Sequence, residues 1–229
     1  MKHTELEVKT LKNHHIEMWN LVETQVAGAF EALGTGSKDK AREILARERV
    51  VNAQELVVDH HCENFIALFA PVAVDLRFVI SLLKITNNLE RIGDFAESIA
   101  LFVLYKQTAT LDPKLVADLR LNEMMSTAQE MMSAARTALI AEDSAMACRV
   151  LAMDDTIDGI NASAVNILGA YIVAHPEMAS EILHLHAVVR RIERIGDRTS
   201  NIAEDTVFYV DAKELRHRAP VNPEYSAQK

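Results

Sequence analysis

Apolar residues recur at three- and four-residue spacing along nearly the whole chain, and no stretch of strict alternation interrupts them. That period belongs to amphipathic helices. Punctuation divides the pattern into six predicted helices. The first covers about 6–33 and stops at Gly34-Thr35-Gly36. Ser37 caps the second, which runs to about 70. Pro71 sits in the first turn of the third, with Asp75 near its positive end, and this helix ends near Gln107. Asp112-Pro113 reads as cap and first residue of the fourth, which ends near 141. Asp143 or Ser144 starts the fifth, ending near 174, and His175-Pro176 opens the sixth, ending near 210. Short connections force antiparallel neighbours, so the expectation is an all-α fold of two tandem three-helix bundles.

The three-helix pattern repeats because the sequence does. Glu-Arg-Ile-Gly-Asp occurs at 90–94 and again at 193–197, an offset of 103 residues. Over the fifteen positions 87–101 and 190–204, seven are identical, including Ile99/Ile202 and Ala100/Ala203. Such a match marks an internal duplication. The expected division is residues 1–109 for the first bundle, 110–210 for the second, and a flexible tail over 211–229.

Each copy holds two acids four residues apart, which share a helical face. A glycine lies between them, and glycine inside a helix costs roughly 1 kcal/mol against alanine. A costly residue kept twice beside paired carboxylates points to a site. Reflecting the first copy about Pro71 sets Asp94 opposite Glu48 and Glu90 opposite Asn52. Reflecting the second about the 175–176 turn sets Asp197 opposite Asp154 and Glu193 opposite Asp158. Each hairpin then gathers four oxygen-bearing side chains at one height. Crowded carboxylates repel and need a neutralising charge. Arg91 and Arg194 are one source; a hard cation (magnesium, calcium, manganese or iron) is the other. The expected ligands are Glu90, Asp94, Glu193, Asp197, Asp154, Asp158 and Glu48, with Asn52 weakening the first site. Asn87, Asn88, Ser98 and Asn201 are candidate outer donors.

Composition narrows the classes. A net charge of −9 argues against nucleic-acid binding. The N-terminus lacks the apolar core of a signal peptide, and the longest apolar stretch, 65–74, contains Pro71 and is too short to span a bilayer. Cys62 and Cys148 have no metal-type spacing and fit a reduced cytosolic protein. The pairs His14-His15 and His60-His61 read as one boundary and one exposed residue each, and the Met124, Met125, Met131, Met132 run reads as core. No nucleophile–base set, Gly-rich phosphate loop or Cys-x-x-Cys pair is present, so no enzyme is expected.

The two Glu-Arg-Ile-Gly-Asp stretches, with Pro71-Val72-Ala73-Val74-Asp75-Leu76-Arg77, resemble the PhoU family of regulators of bacterial high-affinity phosphate transport, over about 6–210. The resemblance implies two three-helix bundles related by pseudo-twofold symmetry, whose acidic motifs bind single metal ions or multinuclear clusters. It implies a cytoplasmic, non-enzymatic regulator that restrains phosphate uptake and the phosphate-starvation response. Its implied partners are the ATPase subunit of the phosphate ABC transporter and the membrane-bound phosphate-sensing histidine kinase, which would bring it to the membrane; a homodimer is compatible with it. A helper of a low-affinity phosphate permease and a carboxylate-bridged metal enzyme are the alternatives.

Overall fold

A computed structural model describes residues 2–106, 108 and 110–215. They form α1 (Lys2–Thr35), α2 (Lys38–Phe69), α3 (Ala73–Tyr105), α4 (Pro113–Asp118), α5 (Leu121–Ala141), α6 (Ser144–Ala174) and α7 (Ala179–Asp211), with no strand among the described residues. Helices α1–α3 pack on one another, as do α5–α7, and α3 against α7 joins the halves. The helical ends behave as their chemistry asks. Gly36 takes φ 72° to close α1. The Ser37, Asp112 and Asp143 side chains accept from Lys40 N, Lys114 N and Met146 N.

Three boundaries depart from the sequence reading. The fourth predicted helix is broken, because Arg120 adopts φ 52° between α4 and α5. Leu119 and Leu121 are both 1% exposed. Two residues apart on a continuous helix lie about 200° round its axis, so both cannot face one core. The left-handed step at Arg120 lets them. Glu123 holds the Arg120 guanidinium at 2.5 and 2.7 Å. Pro71 lies outside α3, since Ala70 (φ 42°) closes α2 and Ala73 (φ 51°) begins α3. A 3-10 turn, Pro176–Met178, precedes α7. The expected end of the third helix at Gln107 and the tail from 216 onward lie outside the described residues.

One core runs through both halves, with Trp19, Ile85, Ile92, Met124, Met131 and Ile195 at 0–1% exposure. Polar ties cross between them: Lys12 to Glu142 at 2.7 Å, Arg136 to Glu23 at 3.2 Å, Lys84 to Asp205 at 3.5 Å. Along the α3–α7 contact, Arg77 meets Tyr209, Asn88 meets Arg198, and Phe95 meets Arg194. The helices therefore run antiparallel. With the 103-residue offset, a residue lies level with its own copy at Ile92 and Ile195, inside the repeated pentapeptide. The pseudo-twofold axis passes through the motif itself.

Helix α6, 31 residues long, holds an 18-residue stretch of mean hydropathy 1.3, long and apolar enough by composition to cross a membrane. The sequence reading weighed only 65–74. Its N-terminal half carries Asp154, Asp155 and Asp158, and the helix packs on α5 and α7.

Candidate metal centres

The glycine of each motif faces the neighbouring helix of its hairpin; a carboxylate takes the space of a Cβ at Gly196, and a valine methyl crowds it at Gly93. A Cβ on Gly196 would lie 2.7 Å from Asp154 Oδ1 and 3.0 Å from Ile157 Cδ1. One on Gly93 would lie 3.2 Å from Val51 Cγ1 and 3.6 Å from Glu48 Oε2. This accounts for a residue that helix propensity disfavours. The glycine lets α2 and α6 bring their acids against the backbone of α3 and α7.

In the α6/α7 hairpin, Asp154, Asp158 and Asp197 place one oxygen each within 4.8 Å of one another. Asp154 Oδ2 accepts from Ser200 Oγ at 2.8 Å, while Asp154 Oδ1 is buried with no partner. Glu193, one turn before Asp197, also has a buried oxygen, Oε2, with no partner. Burial pushes Asp154 up to about 6, with Ser200 opposing and Asp158, Asp197 and Glu193 adding. Asp197 and Glu193 are raised by burial first, then by Asp158 and Asp197 respectively.

In the α2/α3 hairpin, Glu48 is 5% exposed and accepts from Gln25 Nε2 at 2.6 Å, leaving Oε1 buried without a partner. Burial, then Glu97 and Asp94, push Glu48 up to about 7. Glu90 and Glu97 are raised by burial and by Asp94. Arg91 reaches Glu90 at 3.5 Å and Asp94 at 3.1 Å. The second cluster has no such cation within ion-pair reach among the described residues.

The hairpin reflections place Glu48 beside Asp94, and Asp154 beside Asp158 and Asp197. They miss Glu55, Glu97 and Ser200. Glu55 stands near Glu90, and burial followed by the Glu90 charge raises it, while Asn52 is exposed. Val51 meets Gly93 as Ile157 meets Gly196, which aligns Asn52 with Asp158 and Glu55 with Asn161. Acid and amide have exchanged places one turn apart. Glu97 and Ser200 occupy equivalent positions, so the first cluster has a carboxylate where the second has a hydroxyl donor. Of the four expected outer donors, Asn88 bonds Lys84 O and Arg198 instead of the acids.

Among the described residues, no histidine joins the Asp154, Asp158 and Asp197 group. His14 stacks on His61 with ring centres 4.5 Å apart, and His15 is buried against Trp19.

With the geometry in hand, the chain can be set beside known proteins. The PhoU domain matches it twice, over residues 16–103 and 121–206. The chain belongs to the PhoU family. Among its PhoU relatives, the phosphate-specific transport system accessory protein PhoU homolog of Burkholderia sp is 32% identical over 213 residues, 93% of this chain and 89% of that protein. The Escherichia coli (strain K12) accessory protein PhoU is 30% identical over 211 residues, 92% and 86% of the two chains. The crystal structure of PhoU from Pseudomonas aeruginosa superposes with TM-score 0.86 at 30% identity, covering 91% of this chain and 99% of that one. The PhoU fold of two tandem helical repeats is thus established for this chain.

Raised carboxylates set a pH dependence. A group whose folded pKa exceeds its unfolded value stabilises the fold below the unfolded pKa and loses that contribution as pH rises through the folded one. For Glu48 that window runs from its ordinary 4.5 to about 7, and for Asp154 from 3.8 to about 6. Buried His15, lowered to about 3, works in the opposite direction up to its ordinary 6.5. The carboxylate contribution is therefore read against a variant: from pH 5 to pH 8 in EDTA, wild type is expected to lose melting temperature relative to Glu48→Gln, by about 2–4 °C per kcal/mol lost. Melting curves of the two proteins across that range check it; parallel curves would refute it.

Proposed function

We propose that this protein is a non-enzymatic regulator of phosphate uptake and phosphate-starvation signalling, coupling the phosphate ABC transporter to its sensor kinase. One observation carries the reading: PhoU-family identity spans both repeats, and relatives sharing about nine-tenths of the chain are named phosphate-specific transport system accessory proteins. Those names describe accessory proteins, and this chain is a non-enzyme like them. The ATPase subunit and the sensing kinase are its proposed partners. They hold it at the cytoplasmic face of the membrane.

The acidic clusters are proposed to take hard cations, and their donor set fits. All-oxygen ligands suit magnesium, calcium, manganese or iron. Buried carboxylate oxygens on Glu48, Asp154 and Glu193 have no hydrogen-bond partner, and Glu90 Oε2 has only the Arg91 ion pair at 3.5 Å. Unpaired buried acceptors cost about 1–3 kcal/mol each, more when charged, and a cation would remove that cost. Asp154, Asp158 and Asp197 would hold it in the second bundle, with Glu193 beside them. The first bundle would offer Glu48, Glu90 and Asp94, with Arg91 already supplying part of the counter-charge. Bound there, the metal would lock each hairpin at the pseudo-twofold axis and so link cation occupancy to the surface presented to partners.

Deleting the gene and following a phosphate-starvation reporter in high phosphate tests the regulatory reading. The reporter is expected to switch on without the protein and to be silenced again by the wild-type gene. A reporter that stays off in the deletion strain would overturn it. Dependence on a low-affinity permease, with the ABC transporter dispensable, would favour the permease-helper reading.

A further inference from the structure

Helix α7 carries Arg190, Arg191, Arg194 and Arg198 within nine residues. Arg190, Arg194 and Arg198 repeat every four positions and share one face. These four border a continuous trough between α3 and α7. Two of its cavities, of about 400 and 620 Å³, meet at Phe95 and Arg194. Cavities of this size accommodate small-molecule ligands.

Arg190, Arg194 and Arg198 feel the Asp197 and Glu193 carboxylates only at longer range. Elsewhere, Arg42, Arg91, Arg120 and Arg136 each sit within 3.2 Å of a carboxylate, while Arg47, Arg49, Arg77 and Arg149 are scattered singly or in a near pair and form no ion pair among the described residues. None of the trough arginines forms an ion pair within 4 Å among the described residues. Their contacts are neutral: Arg191 donates to Ala187 O at 2.9 Å, Arg198 to Asn88 Oδ1 at 3.4 Å, and Arg194 lies 5.9 Å from the Phe95 ring centre. In a chain of net charge −9, four arginines within nine residues of one helix make a concentrated basic patch.

Packing does not require it. The duplication supplies an internal comparison, in which Arg190, Arg191 and Arg198 correspond to Asn87, Asn88 and Phe95 of the first copy. The same helix, packing about the same axis, is built there from neutral residues. Only Arg194 has a basic counterpart, Arg91, and that one is engaged by Glu90 and Asp94.

We propose that the α3–α7 trough is a binding site for phosphate-type oxyanions. The guanidinium fork matches phosphate oxygens two at a time, which an ammonium does not. Arg190 to Arg198 spans about 12 Å at 1.5 Å rise per residue, longer than a single phosphate. Linked phosphoryl groups therefore engage more of the row than orthophosphate does. Asp94, Glu97 and Asp197 also border the trough and oppose the anion. Neutralising those acids with a cation would tighten anion binding, but the arginines alone define the site. The proposal goes beyond the regulatory role and does not rest on metal occupancy.

Calorimetric titration with sodium phosphate, pyrophosphate and ATP, on protein in EDTA and on protein reloaded with Mn²⁺ and then desalted, tests this. Saturable binding is expected, tightest for the linked phosphates, and weakened at least tenfold by Arg194→Gln with Arg198→Gln. Arg194→Lys, which keeps the charge and loses the fork, should weaken it by less. Arg42→Gln, on α2 and paired with Asp39, should leave it unchanged. Circular dichroism establishes that each variant is folded, and Arg190→Gln alone replaces the double variant if that one is not. No saturable binding of any of the three anions in either form, or an equal loss in Arg42→Gln, overturns the proposal. Orthophosphate binding as tightly as pyrophosphate and ATP would overturn the role of the arginine row's length.

Discussion

Asp154→Asn combined with Asp197→Asn is expected to lower the affinity of the second cluster for Mn²⁺ at least a hundredfold, while raising the melting temperature of the metal-free protein. The two effects have one cause. Asp154, Asp158 and Asp197 bring oxygens within 4.8 Å of one another, and burial raises both Asp154 and Asp197. In the absence of a cation that proximity is repulsive. Asparagine keeps the shape and removes two charges, so the apo fold loses strain and the cation loses two of three carboxylates. Elemental analysis of gently purified protein, Mn²⁺ titration and melting in EDTA read the three quantities. A variant that keeps wild-type metal content would eliminate Asp154 and Asp197 as ligands; one that melts lower in EDTA would contradict the repulsion argument.

Gly196 gives the second large effect, and it separates site geometry from helix propensity. Gly196→Ala should gain up to about 1 kcal/mol of helix propensity. Its Cβ, however, would sit 2.7 Å from Asp154 Oδ1 and 3.0 Å from Ile157 Cδ1. One of these must move. The carboxylate yields more easily than the buried isoleucine, so Asp154 leaves the cluster. We expect near-unchanged stability with roughly tenfold weaker Mn²⁺ binding. Gly196→Val cannot be absorbed this way and should cost about 1–3 kcal/mol, the usual range for overpacking. Gly169→Ala in α6, where an added Cβ meets nothing within 4 Å, is the control and should stabilise without touching metal binding. Equal metal affinity in Gly196→Ala and wild type would show that the glycine serves some other purpose.

Much of the site was legible because a helical hairpin conserves height. Counting equal distances from a turn finds residues that face one another, and it set Glu48 against Asp94 and Asp154 against Asp197. It could not say which side of a helix crosses the partner. Asn52 and Glu55 lie four and seven positions after Glu48, and both periods return to nearly the same face. An i, i+7 count from Glu48 would have raised Glu55 as a candidate, and the same count from Glu90 reaches Glu97. Ser200 carried no signal, since serine at a helical position is commonplace and its value lies in the 2.8 Å bond to Asp154.

The break at Arg120 was hidden for a related reason. Nothing in the 113–141 pattern forbids a continuous helix, and arginine is a good helix former. The demand comes from outside the segment: Leu119 and Leu121 must both enter a core formed by other helices. Local propensity lost to burial. The Pro71 turn differs in that the chain has to leave α2 in a left-handed conformation at Ala70 before α3 can begin.

The sequence by itself determined the helical class, the duplication and the identity of most cluster acids. Each of these follows from periodicity or repetition, which are properties of the chain read along its length. Only the tertiary structure decided the rest. It put the repeated pentapeptides at the crossing of α3 and α7, gave the glycines their reason as clearance for the facing helix, and showed Arg91 ion-paired to one cluster while its counterpart Arg194 makes no ion pair with the other. It also gathered four arginines into a trough that spacing along α7 alone could not distinguish from a solvated face. Charge pairing depends on which helices meet and at what angle, and that is fixed by the packing of the whole core.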